Sequence, residues 1–274
     1  MPGLRDLLLD PRIRDGALDD DALLEAHERI VREKRLLRSA FLTFYATLTR
    51  LCDEYFRVEG LELELGSGAG FFKEVRPGLI TSDVRKSPRI DRVIDALAMD
   101  IPDDSVRCIY AINVFHHLRS PDAFFHELIR VLRAGGGVIL VEPHNGFFSA
   151  WLHTRLHKTE FFDPEMPGWE AHIVSPMSGA NQALAHIVFE RDRQIFEERH
   201  GARLEVVHAE YVLNGLRYLL SGGVNFRPLA PAFMDKPLQL MEKLASPLAR
   251  HWSLHKVTVL RKRCESSVLR NSAE

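Results

Sequence analysis

Apolar residues alternate with carboxylates along positions 61–65, and this run ends in glycines at positions 66, 68 and 70. A period of two predicts a strand, and glycines directly after it predict a tight turn whose backbone can approach a ligand closely. We predict further strands at residues 79–83, 92–96, 108–114, 138–142, 204–211 and 254–260. The run at 108–114 is almost continuously apolar, which is typical of a central strand buried on both faces. The pattern indicates an open α/β sheet, in which ligands bind at the carboxyl ends of the strands.

Helical periodicity marks regions on either side of the glycine-ended strand. A helix is predicted over residues 21–55, where apolar side chains recur at helical spacing at Ile30, Leu37, Phe41, Phe44 and Leu48. We interpret residues 1–59 as an N-terminal helical extension that serves as a lid or flank, and the alternative is a helix that only packs on the sheet edge. Another helix is predicted at 181–200. The remaining domain, residues 60–274, has inserts at about 143–180 and 213–253.

The glycine spacing after the first strand discriminates between nucleotide ligands. A dinucleotide-binding loop has glycine at its first, third and sixth positions, but here the sixth position is Phe71 and the fifth is Gly70. Glu64 precedes the first glycine and would repel a pyrophosphate, whereas it would attract the ammonium group of an amino-acid-bearing nucleoside. S-adenosylmethionine is such a ligand.

Carboxylates end the next two predicted strands. Asp83 lies 19 positions after Glu64 (83 − 64), about the separation expected for an acid that binds the ribose hydroxyls. Asp95 could accept a hydrogen bond from the adenine amino group, while the backbone amide of Ala96 bonds a ring nitrogen. The fourth strand delivers Asn113, His116 and His117 to the same edge of the sheet, at the carboxyl ends of the strands.

Four segments of the chain carry a resemblance to a known family. They are ELGSGAG at 64–70, Asp83, DALAMDIPDDSVRCIYAINVFHHL at 95–118 and ELIRVLRAGGGVILVEP at 127–143. Together they resemble the class I S-adenosylmethionine-dependent methyltransferases, in particular the group that includes the ubiquinone and menaquinone methyltransferases. The resemblance implies a Rossmann-like, seven-stranded, mostly parallel sheet with helices on both faces and one antiparallel strand near the C-terminus. The family usually has an acid where Arg107 stands, and because this position only introduces the fourth strand, we interpret the change as neutral.

The same resemblance implies the cofactor site. It assigns Glu64, Gly66 and Gly68 to the methionine end, Asp83 to the ribose, and Asp95 with Ala96 to the adenine, and we add Ser67, Val84 and Asn113 from the same loops.

A narrower resemblance concerns the acceptor. The patterns LLSGGV at 219–224 and RDRQIFE at 191–197 resemble a branch of bacterial methyltransferases associated with polysaccharide or lipid-linked sugar assembly. This implies a sugar hydroxyl as acceptor, free or lipid-linked. An apolar stripe in the second insert, formed by Leu238, Met241, Leu244 and Leu248, could rest on a membrane surface, or it could be an ordinary packing or dimer face. Carbon methylation of a quinone-like ring and non-catalytic cofactor binding stay open as alternatives.

A hydroxyl acceptor needs a base, and imidazole has a suitable pKa. His117, after the fourth strand, and His144, after the fifth, are the predicted catalytic residues, with a structural role as the alternative for each. Asn181 and Arg191 could bind a polar acceptor, or the charges at 191–197 could form helix ion pairs. His153 and His157 share a helical spacing but have no third ligand at suitable spacing, so no metal site is predicted.

Composition excludes several classes of partner. The 274 residues carry 36 basic and 38 acidic side chains, a net charge of −2. The chain therefore has no excess of basic residues that would favour binding to nucleic acid. Three cysteines show no metal or redox spacing, and no apolar run approaches the roughly 18 residues of a membrane span. A cytoplasmic protein, peripheral to the membrane if its acceptor is lipid-linked, is therefore expected. The oligomeric state is left open.

Overall fold

A computed structural model describes residues 8–13, 20–156, 160–170 and 179–264. Its strands are β1 (Leu61–Leu65), β2 (Ile80–Asp83), β3 (Arg92–Val93), β4 (Val106–Ile112), β5 (Leu132–Pro143), β6 (Leu204–Tyr211) and β7 (His255–Lys262). They form one sheet in the order β3-β2-β1-β4-β5-β7-β6. β1 to β5 pair in parallel, and β7 runs antiparallel to both β5 and β6. The predicted α/β fold class is confirmed, including the single antiparallel strand near the C-terminus.

Helices lie on both faces of this sheet. They are α1 (Asp20–Glu33), α2 (Arg35–Tyr55), α3 (Phe72–Val75), α4 (Pro121–Val131), α5 (Phe147–Leu156), α6 (Leu184–His186), α7 (Arg193–His200), α8 (Gly215–Leu220), α9 (Asp235–Leu244) and α10 (Ala249–Trp252). A π-helical turn spans Ile187–Arg191, and short 3-10 turns span Pro11–Ile13, Phe115–His117, Ala232–Met234 and Ser246–Leu248. None of these described helices is both long and apolar enough to cross a bilayer.

The N-terminal helices form one face of the sandwich. Leu37, Phe44 and Leu48 are completely buried and belong to the same apolar cluster as Ile139 of β5 and Val257 of β7. Each side chain of this size contributes about 1.5–3 kcal/mol when it leaves water. The expectation that this segment only packs on the sheet edge is therefore wrong, because α2 covers the central strands.

The predicted single helix over 21–55 is broken at Lys34. This residue adopts an extended conformation, with φ −76° and ψ 100°, between α1 and α2. Its buried ammonium group lies 3.2 Å from the Asp10 carboxylate and donates to the Gly223 carbonyl at 3.0 Å. These distant partners explain the break, since helical periodicity continues through it and gives no local signal.

The opposite face is rich in phenylalanine. Phe125 of α4 packs edge-on against Phe189 and Phe196, with ring centroids 6.1 and 5.1 Å apart. The predicted helix over 181–200 is interrupted here, because the Asp192 amide bonds the Ile187 carbonyl five residues back and forms the π-helical turn. Asp192 then accepts a hydrogen bond from the Trp169 indole at 3.0 Å.

Strand bounds differ from prediction mainly at β3 and β5. Residues 92–96 were expected to pair, but only Arg92–Val93 does so, and Asp95 instead accepts a hydrogen bond from the Leu97 amide at 2.9 Å in a turn. β5 is longer than predicted and contains the glycines at 135–137. Arg107 pairs with Glu62 at the amino end of the sheet, at 2.8 Å, and so lies at the opposite end from the predicted ligand rim.

Candidate active site

The loop after β1 turns through two left-handed glycines. Gly66 has φ +63° and Gly68 has φ +46°, conformations that cost a residue with a side chain roughly 1 kcal/mol or more. A Cβ on Gly66 would lie 2.5 Å from Cγ2 of Val114. The Ser67 amide donates to the Ser82 carbonyl at 2.8 Å, which ties the loop to the end of β2. We call this loop, residues 66–70, the glycine cradle. At Gly66 it has room only for a residue without a side chain.

Glu64 is buried beneath the cradle, with 4% of its surface exposed. The Ser67 hydroxyl donates to its Oε2 at 2.8 Å. Burial raises the pKa of Glu64 to about 7, against the lowering effect of the Ser67 hydrogen bond, and the nearby charge of Asp83 adds to the rise. A buried carboxylate pushed toward neutrality favours a cationic ligand group, because an added positive charge would stabilise its ionised form.

Asp83 faces the same cradle from the end of β2. Its Oδ2 accepts from the Gly68 amide at 3.2 Å and its Oδ1 from the Arg85 amide at 3.0 Å. Each carboxylate oxygen keeps further acceptor capacity. Val84, next along the chain, is half exposed on this rim. The arrangement leaves Asp83 able to accept from ribose hydroxyls, and that role stays a prediction.

The residues expected at the adenine lie on the turn after β3. Asp95 is exposed, whereas Ala96 is almost completely buried in the sheet's apolar core. Because β3, β2 and β1 are adjacent and parallel, their carboxyl ends share one rim with the glycine cradle. The structure therefore brings the predicted cofactor residues to one edge of the sheet.

Asn113 ends β4 in an unusual conformation, with φ +55°. Its amide donates to the Val141 carbonyl at 2.8 Å. Its side-chain Oδ1 is buried and has no hydrogen-bond partner within the part of the chain that the structure describes. An orphaned acceptor beside the cradle fits a ligand that donates hydrogen bonds there.

Tyr45 supports the cradle from the opposite side and was missed by sequence reasoning. The hydroxyl of Tyr45, on α2, accepts from the Phe71 amide at 2.9 Å, and its ring stacks on Phe72 with centroids 4.6 Å apart. A Cβ on Gly70 would lie 3.0 Å from this hydroxyl. No local signal separates Tyr45 from its neighbours in the helix, because its partner lies elsewhere in the sequence.

A buried ion pair lies at the ends of β4 and β5. His116 Nδ1 is 2.5 Å from Glu142 Oε2, and both residues are 2% exposed. The other oxygen, Oε1, accepts from the amides of Val114 and Phe115 at 3.0 and 2.8 Å. Burial works to lower the pKa of His116, but the charge and hydrogen bond of Glu142 raise it. The sequence predicted His116 at this edge of the sheet but gave it no role, and Glu142 was not predicted as a site residue, although both lie within the segments that carry the family resemblance.

His117 lies beside this pair and faces a second carboxylate. Its ring centroid is 4.3 Å from that of His116, and its Nε2 is 3.5 Å from Oε1 of Glu160. Burial lowers the pKa of His117 to about 4, and the charge of His116 adds to the drop despite the opposing carboxylates. The ring is therefore neutral near pH 7, and its side chain remains 21% exposed.

His144, the other predicted base, is held by the C-terminal insert. Its Nε2 lies 3.0 Å from the Arg250 carbonyl, and its ring packs against Tyr211 with centroids 4.8 Å apart. Only 6% of His144 is exposed, and burial lowers its pKa. These contacts favour a structural role, and its catalytic role stays a prediction.

Two further groups surround the His116–His117 cluster. Tyr218 of α8 is partly buried, and its desolvation together with the charge of Glu160 raises its pKa to about 12. His255 begins β7, and burial together with the charge of His116 lowers its pKa to about 3. Both residues come from beyond residue 210, so only tertiary structure brings them to the β4 rim.

The expected acceptor contacts at Asn181 and Arg191 are instead structural. Asn181 is fully buried, accepts from the Asp163 amide at 3.0 Å and donates to its carbonyl at 2.8 Å. Arg191 donates to the carbonyls of Pro164 and Met166 and pairs with Asp192. The alternative interpretation of helix ion pairs is the better one. His157 and the side chain of His153 lie outside the described residues.

Comparison with known proteins agrees with this geometry. Residues 73–140 match a family model described as a methyltransferase domain. No curated protein sequence matches the chain. A geranyl diphosphate C-methyltransferase from Streptomyces coelicolor A3(2) shares 13% identity over 94% of this chain and 89% of that one, with a TM-score of 0.46. An S-adenosylmethionine-dependent methyltransferase from Archaeoglobus fulgidus shares 13% identity over 81% and 94%, with a TM-score of 0.45.

Structural similarity this distant carries no argument about the activity or the acceptor of this chain. The rim fits S-adenosylmethionine, because Gly66 offers bare backbone, Glu64 offers a carboxylate for a cationic group and Asn113 offers an unpaired acceptor. Residues 73–140 thus match a methyltransferase domain, and the acidic, glycine-lined rim at the ends of β1 and β2 fits the cofactor of such a domain.

Proposed function

We propose that this enzyme methylates a hydroxyl oxygen of a small polar acceptor, with saccharides as the favoured class. The observation that carries the proposal is a group of polar side chains at the ends of β4 and β5, where the partly exposed His117 faces Glu160 beside the buried His116–Glu142 pair. A hydroxyl must lose a proton as it is methylated. These side chains supply a base at the place where the substrate hydroxyl would bind.

His117 is the residue best suited to take that proton. His116 already binds Glu142 through Nδ1 and is almost completely buried, whereas the side chain of His117 is partly exposed. The neutral imidazole of His117 can accept a proton, and Glu160 would stabilise the resulting cation. Its low pKa makes it a weak base, so the hydroxyl proton moves only as the new bond forms.

The two parts of this edge of the sheet support separate roles in the proposed reaction. Glu64, the glycine cradle and Asp83 hold the cofactor at the ends of β1 and β2, and the bound cofactor supplies an electrophilic methyl group on a sulfonium. His117 lies after β4, the strand next to β1. Positioning of the acceptor hydroxyl against that methyl group in a dry site accounts for much of the acceleration.

The experiment is transfer of a carbon-13 methyl group from labelled S-adenosylmethionine to sugars, other polyols and hydroquinones. We expect product from a polyol class, with a carbon-13 shift typical of an O-methyl group. The His117→Gln variant should retain cofactor binding and lose turnover. Label on a ring carbon would contradict oxygen methylation and favour the quinone-type alternative.

An exposed apolar surface favours a lipid-linked acceptor. Helix α9 and its neighbours leave large side chains in water, between 53% and 87% exposed, namely Phe147, Leu229, Phe233, Leu240, Met241, Leu244 and Leu248. Leu238 of the predicted stripe is instead buried at 3%. Exposed cations flank this surface at Lys236, Lys243 and Arg250, while the nearby Glu242 is buried against Arg217. Exposed apolar side chains with cations nearby in the sequence are suited to an anionic membrane surface.

Vesicle co-sedimentation tests the membrane contact. We expect binding to vesicles of phosphatidylglycerol and phosphatidylcholine, and a loss of about tenfold or more in Leu244→Glu, which removes apolar contact and adds a repelled charge. Val75→Glu, at an exposed apolar site on α3, is the matched control. Equal binding of both variants and the wild type would contradict this part of the proposal.

A further inference from the structure

Three potential metal ligands converge at the proposed acceptor site. His116 Nε2 lies 3.9 Å from Glu160 Oε2, and His117 Nε2 lies 3.5 Å from Glu160 Oε1. The ligand atoms of all three residues lie within 4.8 Å of one another. Ligands bonded at about 2.1 Å lie about 3.4 Å apart around a tetrahedral ion. Small side-chain rotations would therefore bring the three atoms to coordination distance.

Two of these ligands are already oriented by other side chains. Glu142 holds Nδ1 of His116 at 2.5 Å, which directs Nε2 toward Glu160. Glu142 is itself fixed by two backbone amides at its other oxygen. The Gln182 amide donates to Oε2 of Glu160. Metal-binding histidines usually donate a hydrogen bond from their second ring nitrogen to a carboxylate in this way. The hydrogen bond between His116 and Glu142 therefore has the arrangement expected behind a metal ligand.

The donor set determines the class of ion. Two imidazole nitrogens and one carboxylate suit zinc, iron, cobalt or manganese, whereas magnesium and calcium prefer oxygen ligands. Three protein ligands leave at least one coordination position open. We infer that His116, His117 and Glu160 bind one divalent transition-metal ion, with its open position directed to the acceptor.

The role of the ion in the reaction rests on the proposed function, whereas its binding rests only on the three ligands. A hydroxyl oxygen bound to the ion would become more acidic and release its proton to water, and the oxygen would keep the electron pair for methylation. His117 would then be a ligand, and the proton would leave from the ion-bound hydroxyl. An acceptor with two neighbouring oxygens, such as a sugar diol, would suit an ion with two open positions.

Titration calorimetry with Zn2+ and Mn2+ tests the site, on full-length protein that lacks a histidine tag and has been dialysed against chelator. We expect one ion per chain with a Kd of micromolar or below. His117→Gln and Glu160→Gln should each weaken binding about 100-fold, and Glu142→Gln about 10- to 100-fold. His126→Gln, at an exposed histidine of α4, is the matched control and should bind as the wild type does. Co2+ should show visible d–d absorption that is lost in the first two variants.

The outcomes separate the two proposals. Absence of stoichiometric binding, or equal binding by the wild type, His117→Gln and Glu160→Gln, would overturn the metal site. S-adenosylhomocysteine affinity, measured on the same samples, shows whether each variant is folded. If the ion binds as expected and the methyl group is found on carbon, the metal site stands and the proposed oxygen methylation fails.

Discussion

The two halves of the rim are built in different ways. The half proposed to bind the cofactor, at the ends of β1 and β2, uses backbone amides and glycines within the short span 64–85. The half proposed to bind the acceptor, at the ends of β4 and β5, uses side chains drawn from His116, Glu142, Glu160 and Tyr218, which are far apart in the chain. A ligand shared by many enzymes can be held by a compact motif, whereas an individual acceptor is recognised by groups that only folding brings together.

The largest effect should come from replacing a glycine of the cradle by alanine. We expect Gly66→Ala to weaken S-adenosylhomocysteine binding more than about 100-fold, roughly 3 kcal/mol, because its Cβ meets Val114 and φ is positive. Calorimetry measures this. Gly78→Ala is the control, since Gly78 has φ +92° but nothing within 4 Å of its Cβ, and it should cost only about 1 kcal/mol of stability. Unchanged affinity in Gly66→Ala would remove the cradle from the cofactor site.

The next effect tests the acceptor half. We expect His117→Gln to lower kcat about 100-fold, because the ring either takes the acceptor proton or binds the ion that acidifies it. Affinity for S-adenosylhomocysteine should stay within twofold of the wild type. Steady-state kinetics on the identified acceptor, together with calorimetry, checks both values. A parallel loss of cofactor affinity would show that the two halves are not separate.

A converse effect is expected at Asp83. We expect Asp83→Ala to weaken cofactor binding by about 1–3 kcal/mol, because charge-assisted hydrogen bonds to the ribose would be lost. Asp100→Ala is the matched control, since the Asp100 side chain is 99% exposed. Thermal unfolding should accompany the calorimetry, because the Gly68 amide also loses its partner. Unaltered affinity in a folded variant would exclude Asp83 from the ribose.

The smallest effect is a pH dependence from Glu64. Its pKa of about 7 in the free protein should fall when the ammonium group of the cofactor binds, so binding should release a proton below pH 7. Affinity should then decrease as pH falls below 7, by up to about 1.4 kcal/mol per pH unit. Because this carboxyl pKa is raised on folding, Glu64 also lowers the free energy of unfolding as pH rises from about 4.5 to 7.

Calorimetry at pH 6 in buffers of different ionisation enthalpy measures the released proton. Glu64→Gln should release none, provided that near-ultraviolet circular dichroism shows an unchanged fold. Equal proton release in the wild type and this variant would mean that another group titrates.

Local sequence patterns predicted the bounds of strands better than the interruptions within helices. The alternation at 61–65 and the run at 204–211 predicted the bounds of β1 and β6 to the residue, because strand-forming side chains in each run are bounded by glycine or polar residues close along the chain. The break at Lys34 and the π-helical turn before Asp192 were not predicted. Both are fixed by partners distant in the chain, such as Asp10 and Trp169. Helical spacing alone continues through both positions.

The sequence by itself determined the sheet, the glycine cradle and the acids that line it, because these depend on backbone conformation and on residues close along the chain. Only the tertiary structure paired His116 with Glu142, placed Glu160 against His117 and bound His144 to the insert. Sequence reasoning selected His117 from its position after a strand, but it could not distinguish its surroundings from those of His144. The pKa and accessibility of a histidine depend on burial and on neighbouring charges, and the fold brings those neighbours from distant parts of the chain.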